Sequence, residues 1–230
     1  MALPIQQSAV ITQKNQLTPH VYQFVFQVQN PMTFAPGQYL TVIIDAHTRR
    51  QYSFFSPSVN PLHFDIVVDV SPMGSGSHYF LSRQVGDAVE ILAPLGMFQL
   101  AMTPHRKVFV ATGTGIAPFY SMIVTYLEQG GAADMALYWG LRHEEDIFFR
   151  QQLEVLQKQY ANFHYIVILS KPTDAWTGVT GHVTEHVEAD EKTVPVTDFY
   201  LCGNRHMVGD VKTELLAQKA KGEQIKTEPF

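Results

Sequence analysis

Residues 49–57, RRQYSFFSP, place two arginines beside a tyrosine, a serine and two phenylalanines. A core strand would keep the aromatic residues without the arginines, and a solvated turn would do the reverse. Guanidinium groups bind phosphate oxygens in bidentate fashion, and aromatic rings stack on flat ligands. The stretch therefore predicts a surface that holds a planar molecule with an anionic tail.

A second motif, TGTGIAPF at 112–119, lies between a buried strand pattern and an apolar helical pattern. Gly113 and Gly115 allow a tight turn and close approach of the backbone. Pro118 suits the first turn of a helix, where its missing N–H leaves nothing unpaired. The N–H groups and the dipole at such a helix start favour a phosphate. An ordinary strand-to-helix turn is the alternative.

The strands and helices around this turn are expected to form a doubly wound α/β domain. Five strand patterns alternate with helical patterns after residue 103: KVFVATG, MALYWGLR, HYIVILS, DFYLCG and QIKTEPF. Such alternation predicts a parallel five-stranded sheet. With the strand order 3-2-1-4-5, the first and fourth strands are neighbours where the order reverses, and ligands bind there. LCGN (201–204) would then face TGTG.

Cys202, in LCGN, has two interpretations. A buried, inert cysteine is the common case. Its position at the predicted ligand edge favours a functional residue. The surrounding sequence is not basic enough to predict a nucleophilic thiolate.

The first half of the chain has a different periodicity. In VYQFVFQVQ, apolar and polar residues alternate with a period of two, as in a half-buried strand. YLTVIID, HFDIVVDV and AVEILAPLG also have strand character and are separated by clusters of Gly, Pro, Ser and Asn. We expect an antiparallel β-barrel over residues 1–103 and the α/β domain over 104–230, joined at the polar connector TPHRK (103–107).

Composition narrows the class of protein. The 230 residues carry a formal net charge of −5, so no basic nucleic-acid footprint is present. The one cysteine excludes an internal disulfide and a cysteine-ligated iron–sulfur cluster within this chain. No signal peptide or membrane-spanning run is visible, which predicts a cytoplasmic protein without membrane contact. His182 and His186 have helical metal-pair spacing but no third ligand, so we expect no metal site.

Taken together, the motifs resemble those of the ferredoxin–NADP reductase superfamily of flavoproteins, in the same order along most of the chain. PGQY (36–39), RQYS (50–53) and GSGS (74–77) are similar to its flavin-site motifs. GTGIAP and CGNRHMV are similar to its two nicotinamide-side motifs. The ending TEPF resembles the Glu-x-aromatic end of the plant-type members.

The resemblance implies an FAD-binding barrel with a cluster of flavin residues. Arg50 would bind the pyrophosphate, with Gln51 beside it in the cofactor site. Tyr52 would stack on the isoalloxazine, and Ser53 would hydrogen-bond the ring nitrogen that accepts hydride. Gly76 and Ser77 would donate to the phosphates, and Phe230 would cover the other face of the flavin. Phe54 and Phe55 are expected in the core.

It also implies that NADPH or NADH binds at the α/β domain. Gly113, Thr114, Gly115 and Gly203 would hold the nucleotide, and Cys202 and Glu228 would join Ser53 near the point of hydride transfer. The second strand ends in GLRHEED (140–146), where an acidic residue holds a ribose hydroxyl and an arginine accommodates a 2′-phosphate. Arg142 and Glu144 offer both. Lys171 adds positive charge, which favours NADPH slightly, although SKPTDAW…GVTGHV is more similar to NADH-using relatives.

Three functions remain open on the sequence. The first is transfer of hydride from NAD(P)H to FAD and of single electrons to a ferredoxin or flavodoxin. The second is an NAD(P)H:flavin reductase whose flavin is a loosely bound substrate, and the third is a non-catalytic FAD-binding regulatory subunit. Such carriers are usually acidic, so a basic docking face formed by Arg49, Arg83, Arg106 and Lys107 is one prediction. Scattered solvated charge is its alternative.

Overall fold

A computed structural model describes residues 3–57, 59–190 and 194–229 of the chain. By their contacts the residues form two compact units. The first unit comprises Met1–Leu100 and Ala117–Thr125, and the second comprises Ala101–Ile116 and Tyr126–Phe230. Each is described by itself below. The boundary at 103/104 expected from the sequence stays a prediction.

The first unit is a nearly closed antiparallel barrel of six strands, as the sequence predicted. The strand order is β4-β3-β6-β1-β2-β5, and a bridge between Phe54 and Ile66 joins the two ends. Alternate side chains fill the interior, and Phe24, Phe26 and Phe54 are fully buried there. The strands are β1 (Ile5–Gln16), β2 (Val21–Val28), β3 (Tyr39–Ile43), β4 (Arg49–Ser53), β5 (His63–Asp69) and β6 (Ala88–Leu95).

The barrel also carries helix α1 (Ser75–Ser82), in a region where the sequence showed only turn-forming residues. Phe80 explains the helix, since its fully buried ring packs on Phe24 with 4.7 Å between ring centres. Tertiary packing of this kind commonly outweighs the low helix propensity of glycine and serine.

Part of helix α2 (Ile116–Glu128) belongs to the first unit, namely Ala117–Thr125. The Tyr120 ring stacks on Phe55 at 4.4 Å, and the Ser121 hydroxyl donates to the carbonyl of Ser56 at 2.9 Å. Phe54 and Phe55 are both buried, which confirms the prediction that they are core residues.

The second unit is a parallel sheet with helices, in the order β10-β9-β8-β7-β11-β12. Omitting β10, this is the order 3-2-1-4-5 that the sequence analysis assumed. The additional strand is only two residues long, too short to carry periodicity. The strands are β7 (Arg106–Thr112), β8 (Met135–Leu141), β9 (Phe163–Leu169), β10 (Val179–Thr180), β11 (Thr197–Gly203) and β12 (Ile225–Pro229). The remaining helices are α3 (Arg150–Gln159), α4 (Val183–Asp190) and α5 (Arg205–Ala217).

The connector TPHRK is more than a solvated link, because Lys107 is fully buried within β7. Its ammonium lies 2.8 Å from the Asp198 carboxylate. The prediction that Lys107 contributes to a basic docking face is therefore wrong. Arg106, predicted for the same face, forms an ion pair with Asp134 at 2.8 Å.

No helix in the described part of the chain is both long enough and apolar enough to cross a membrane.

Candidate functional site

Arg50 and helix α1 form the centre of the barrel site. The Arg50 side chain is exposed at β4, and its two terminal nitrogens donate to the Ser75 hydroxyl and to the carbonyl of Arg49, each at 2.7 Å. Ser75 is the first residue of α1, so these bonds hold the guanidinium at the start of the helix. A cation and the positive end of a helix dipole are thereby placed side by side.

The start of α1 also contacts Tyr52. A Cβ atom on Gly76 would lie 2.5 Å from the Tyr52 hydroxyl and 3.2 Å from Cγ of Arg50, so a larger residue would push the helix off β4. Tyr52 packs edge-on against Phe80 at 5.1 Å. Burial raises the pKa of Tyr52 to about 12, against the opposing charge of Arg50, so the phenol stays neutral at physiological pH.

The structure brings four predicted flavin residues together around the start of α1, and a fifth, Gln51, shares only an outer groove with Arg50. Arg50, Tyr52, Gly76 and buried Ser77 lie around the start of α1. Gln51 is exposed on the outer surface, where it donates to the Tyr39 hydroxyl at 3.3 Å. It lines a groove of about 460 Å³. The other groove residues are Gln6, Thr41, Ile43, Arg49, Arg50 and Leu92.

Ser53 ends β4 opposite Tyr39. Gln38, part of the PGQY motif but given no role of its own from the sequence, anchors this region. Gln38 is buried; its side-chain oxygen accepts from the N–H of Ala35 at 2.8 Å and its amide donates to the carbonyl of Gly96 at 3.1 Å. Its backbone carbonyl accepts from the N–H of Phe54 at 3.0 Å. Gln38 thus fixes the end of the strand that carries Tyr52 and Ser53.

In the second unit, the glycine turn and the end of β11 are in direct contact, as the predicted strand order requires. The turn Gly113–Gly115 is a single 3₁₀ turn leading into α2. A Cβ atom on Gly115 would lie 2.4 Å from the carbonyl oxygen of Cys202, so only glycine permits this approach. A Cβ atom on Gly203 would likewise lie 2.3 Å from the hydroxyl oxygen of Thr112.

Two further residues hold this turn, and neither was assigned that role from its place in the sequence. The buried indole of Trp139 donates to the carbonyl of Gly113 at 2.9 Å. The Thr112 hydroxyl accepts from the N–H of Asn204 at 2.9 Å. The Asn204 side chain in turn caps the start of α5.

Cys202 is a buried thiol next to the other predicted catalytic residue of this unit. It is opposite Glu228 in the pairing of β11 with β12. Burial raises the pKa of the Cys202 thiol well above its ordinary value, and the Glu228 charge adds to this effect. The residue is therefore a neutral thiol, in agreement with the sequence. Phe230, predicted to cover the flavin, lies outside the described residues.

Arg142 and Lys171 are brought together by their backbones at the carboxyl ends of β8 and β9. The N–H of Lys171 donates to the carbonyl of Arg142 at 2.9 Å, and both side chains are exposed. Glu144 is engaged with the same loop, where its Oε1 accepts from the N–H and the hydroxyl of Thr173 at 2.9 and 2.6 Å. These hydrogen bonds hold the pKa of Glu144 below its ordinary value, and the bond from the Thr173 hydroxyl has the larger effect.

Both helix starts have features that suit phosphate groups. Neither α1 nor α2 has an acidic residue in its first turn, and Gly74, at the start of α1, supplies no capping side chain. Backbone N–H groups at such a start are available to an anion. The residues present therefore fit a phosphate group at each site, with Arg50 adding charge at α1. Among the described residues, no group of three or more His, Cys, Asp or Glu side chains could hold a metal ion.

Two family models match the chain. The "Oxidoreductase FAD-binding domain" covers residues 8–100, and the "Oxidoreductase NAD-binding domain" covers residues 109–213. These matches and the fold define an FAD- and nicotinamide-dependent oxidoreductase, the class expected from the sequence.

Curated relatives specify the family. The chain is 30% identical over 219 residues to "Ferredoxin--NADP reductase B" of Sorangium cellulosum, covering 90% of this chain and 88% of that protein. It is 33% identical over 201 residues to the "Anthranilate 1,2-dioxygenase electron transfer component" of Acinetobacter baylyi, covering 86% of this chain and 59% of that protein. It is 25% identical over 226 residues to the "NAD(P)H-flavin reductase" of Aliivibrio fischeri, covering 93% and 94%.

Solved structures share the fold. A cytochrome P450 reductase of Amycolatopsis matches with a TM-score of 0.92 at 22% identity, covering 99% of this chain and 70% of that one. A ferredoxin NADP⁺ reductase of Neisseria gonorrhoeae with bound FAD and NADP matches with a TM-score of 0.85 at 22% identity, covering 97% and 98%. The chain belongs to the ferredoxin–NADP reductase superfamily, and its cofactors are FAD and NADPH or NADH.

Proposed function

We propose that this oxidoreductase oxidises NAD(P)H with bound FAD and passes the electrons singly to a separate ferredoxin or flavodoxin. The observation that carries the proposal is the arrangement of Arg50, Tyr52 and the start of α1, which supports a preorganised site for a flavin dinucleotide. Relatives over the same length include a ferredoxin–NADP reductase. Bound flavin would accept two electrons as hydride and release them one at a time.

On the flavin side, the chain's own groups bind and orient. Arg50, held by Ser75 and the carbonyl of Arg49, would pair with the pyrophosphate without reorganising, together with the N–H groups of Gly76 and Ser77. Tyr52 would present a neutral ring to the isoalloxazine, and Ser53 a hydroxyl to the hydride-accepting nitrogen. Gln51 would contribute to the cofactor site only from the outer groove.

On the nucleotide side, Gly113, Thr114, Gly115 and Gly203 would position the dinucleotide. Cys202, as a neutral thiol, would lie beside the nicotinamide without acting as a nucleophile. Glu228, its neighbour across β11 and β12, would complete the set of catalytic residues with Ser53. These roles need no acid–base triad, because orientation of two rings accounts for the chemistry.

We also propose a preference for NADPH. Arg142 and Lys171 are exposed cations at the loop where a 2′-phosphate would lie, and one oxygen of the Glu144 carboxylate already accepts two hydrogen bonds from Thr173. Steady-state rates with the two nucleotides test this. A kcat/KM for NADH equal to or above that for NADPH would contradict the preference.

Reduction of free flavin is the second candidate, favoured by the match to the Aliivibrio fischeri flavin reductase over 94% of its length. Purification distinguishes the candidates. A yellow protein with one FAD per chain that NADPH bleaches, and that reduces a ferredoxin or flavodoxin, supports the proposal. A colourless protein that reduces added flavin supports the second candidate, and a yellow protein inert to both nucleotides would contradict both. The cytoplasmic location stays a prediction, to be tested by fractionation.

A further inference from the structure

The peptide unit between Gly113 and Thr114 is held in one orientation by a tryptophan. We infer that Trp139 is a positioning residue for the nucleotide: its indole N–H fixes this peptide so that the Thr114 N–H can face the dinucleotide's pyrophosphate. The inference rests on the proposed function, because it requires the turn to bind a pyrophosphate.

A hydrogen bond from a buried donor joins Trp139 to the glycine turn. Nε1 of Trp139 lies 2.9 Å from the carbonyl oxygen of Gly113, and the indole is fully buried in the centre of β8. Phe148 packs edge-on against the indole at 4.9 Å, which restricts the ring further. A buried donor without an acceptor is costly, so this bond persists through thermal motion.

The geometry of the peptide between Gly113 and Thr114 sets the direction of the Thr114 N–H. The only cis peptide bond in the described part of the chain is Ala93–Pro94, so the peptide between Gly113 and Thr114 is trans. In a planar trans peptide the C=O and the following N–H point in opposite directions. The carbonyl points at the buried indole, and the N–H of half-exposed Thr114 therefore points away from it.

Gly113 needs such a restraint because it is conformationally free. Gly113 has a φ of +55° and no side chain, and a Cβ atom there would meet nothing within 4 Å. No side-chain packing at Gly113 therefore restrains this peptide, which leaves the bonds of the 3₁₀ turn and the bond from Trp139 to hold it. A rotated peptide would present a carbonyl oxygen to the phosphates in place of an N–H donor. Trp139 raises the free energy of that orientation by the loss of its own hydrogen bond.

The test compares ADP-ribose binding, measured by calorimetry on the flavin-loaded protein, in wild type and Trp139→Phe. ADP-ribose carries the pyrophosphate but not the nicotinamide. We expect its Kd to rise about 3- to 10-fold, the range of one net hydrogen bond. The KM for NAD(P)H should rise in parallel, with little change in kcat, because the nicotinamide ring is not displaced.

Tyr126→Phe is the matched control. The Tyr126 hydroxyl accepts from the backbone N–H of Ala133 at 3.1 Å, near the amino end of β8. This change also removes one hydrogen bond between an aromatic side chain and the backbone, but at the opposite edge of the sheet. It should leave the Kd for ADP-ribose unchanged.

A shape-preserving substitution separates the hydrogen bond from packing. Benzothienylalanine replaces the indole N–H by sulfur and can be incorporated in a Trp176→Phe background, so that Trp139 is the one position exchanged. Relative to the same background with tryptophan, the Kd should rise as in Trp139→Phe. An unchanged Kd in both variants would overturn the inference while leaving the proposed function intact. If wild type bound no ADP-ribose and oxidised no NAD(P)H, both would fall.

Discussion

Lys107 and Asp198 form a buried ion pair between β7 and β11, with 2.8 Å between Nζ and the carboxylate. The two residues are direct neighbours in the parallel pairing. Thr103 and His105, from the connector, also hydrogen-bond the carboxylate. Burial alone would raise the pKa of Asp198, but the bonds from Lys107, Thr103 and His105 together hold it below its ordinary value. The pair therefore ties the connector to the α/β unit.

Removing one member of this pair should strongly destabilise the protein. We expect Asp198→Asn or Lys107→Met to lower the free energy of unfolding by about 3–5 kcal/mol, because either change leaves a buried charge without its partner. Urea unfolding followed by circular dichroism measures the effect. Lys158→Met, on the exposed face of α3, is the matched control and should change little.

The same pair predicts an acid-dependent loss of stability. Because the pKa of Asp198 is lower in the folded than in the unfolded state, its stabilisation is present above the ordinary carboxyl pKa of about 3.9 and is lost as pH falls through the folded value. The difference in stability between wild type and Asp198→Asn should therefore shrink in acid. A difference that stays constant down to pH 2 to 3 would contradict this account.

The fold was predictable from the sequence because both halves have clear periodicity. Alternation of period two predicted the barrel, and strand–helix alternation predicted the parallel sheet, whereas the strand order 3-2-1-4-5 was assumed and does not follow from periodicity. Helix α1 was not predictable, since its formation depends on Phe80 packing against Phe24, a contact between distant residues. Lys107 was misplaced for a related reason. In the sequence TPHRK, Lys107 is indistinguishable from a solvated cation. Its burial depends on Asp198, which lies 91 residues later.

The site residues that lie in recognisable motifs were predictable. Those whose roles depend on tertiary contacts were missed. Arg50, Tyr52 and the two glycine motifs were recognisable as local patterns. Gln38 and Trp139 were not assigned their roles, because each acts through a backbone carbonyl that only the folded chain brings near it.

Arg50 should control FAD affinity because its planar guanidinium presents several N–H donors in a fixed geometry. We expect Arg50→Lys to raise the Kd for FAD about 10- to 100-fold, since a lysine keeps the charge but cannot reproduce bidentate contact with phosphate. Fluorescence titration of the FAD-free protein with FAD measures this. Arg49→Lys is the control, because Arg49 contributes its backbone carbonyl rather than its side chain to the Arg50 contacts. An equal loss in both variants would contradict the assigned role.

Asp65 should make the protein less stable as pH rises. Burial raises its pKa, and hydrogen bonds from Ser56 and Gln23 offset this only in part. The folded state therefore holds the proton more tightly than the unfolded state, so stability falls from the ordinary carboxyl pKa up to the folded value. Asp65→Asn should have a higher Tm than wild type at pH 7, with the gain disappearing in acid. Glu90→Gln, on an exposed position of β6, should show no such gain.

Cys202 should be unreactive in the folded protein. Its thiol is buried and its raised pKa leaves almost no thiolate at neutral pH. We expect iodoacetamide to modify no cysteine at pH 8 in native protein and one per chain in urea, counted by intact mass. Rapid alkylation of the native protein would show that the thiol is exposed or ionised, and would remove the basis for treating it as a neutral neighbour of the nicotinamide.

A docking face stays a prediction for two barrel residues, Arg49 and Arg83. Arg49 is exposed, while half-buried Arg83 stacks over Tyr79 at 4.2 Å, so two of the four predicted cations remain near the surface of one unit. If an acidic carrier docks there, Arg49→Gln with Arg83→Gln should slow carrier reduction several-fold at low ionic strength and flatten its salt dependence, because these charges act on the association rate.

Stopped-flow reduction of a ferredoxin or flavodoxin across a salt series measures both effects. Lys158→Gln, on α3 of the other unit, removes a comparable charge and should leave the salt slope unchanged. If the double variant kept the wild-type slope, the charges would be ordinary solvated side chains, and carrier recognition would have to rest on uncharged contacts.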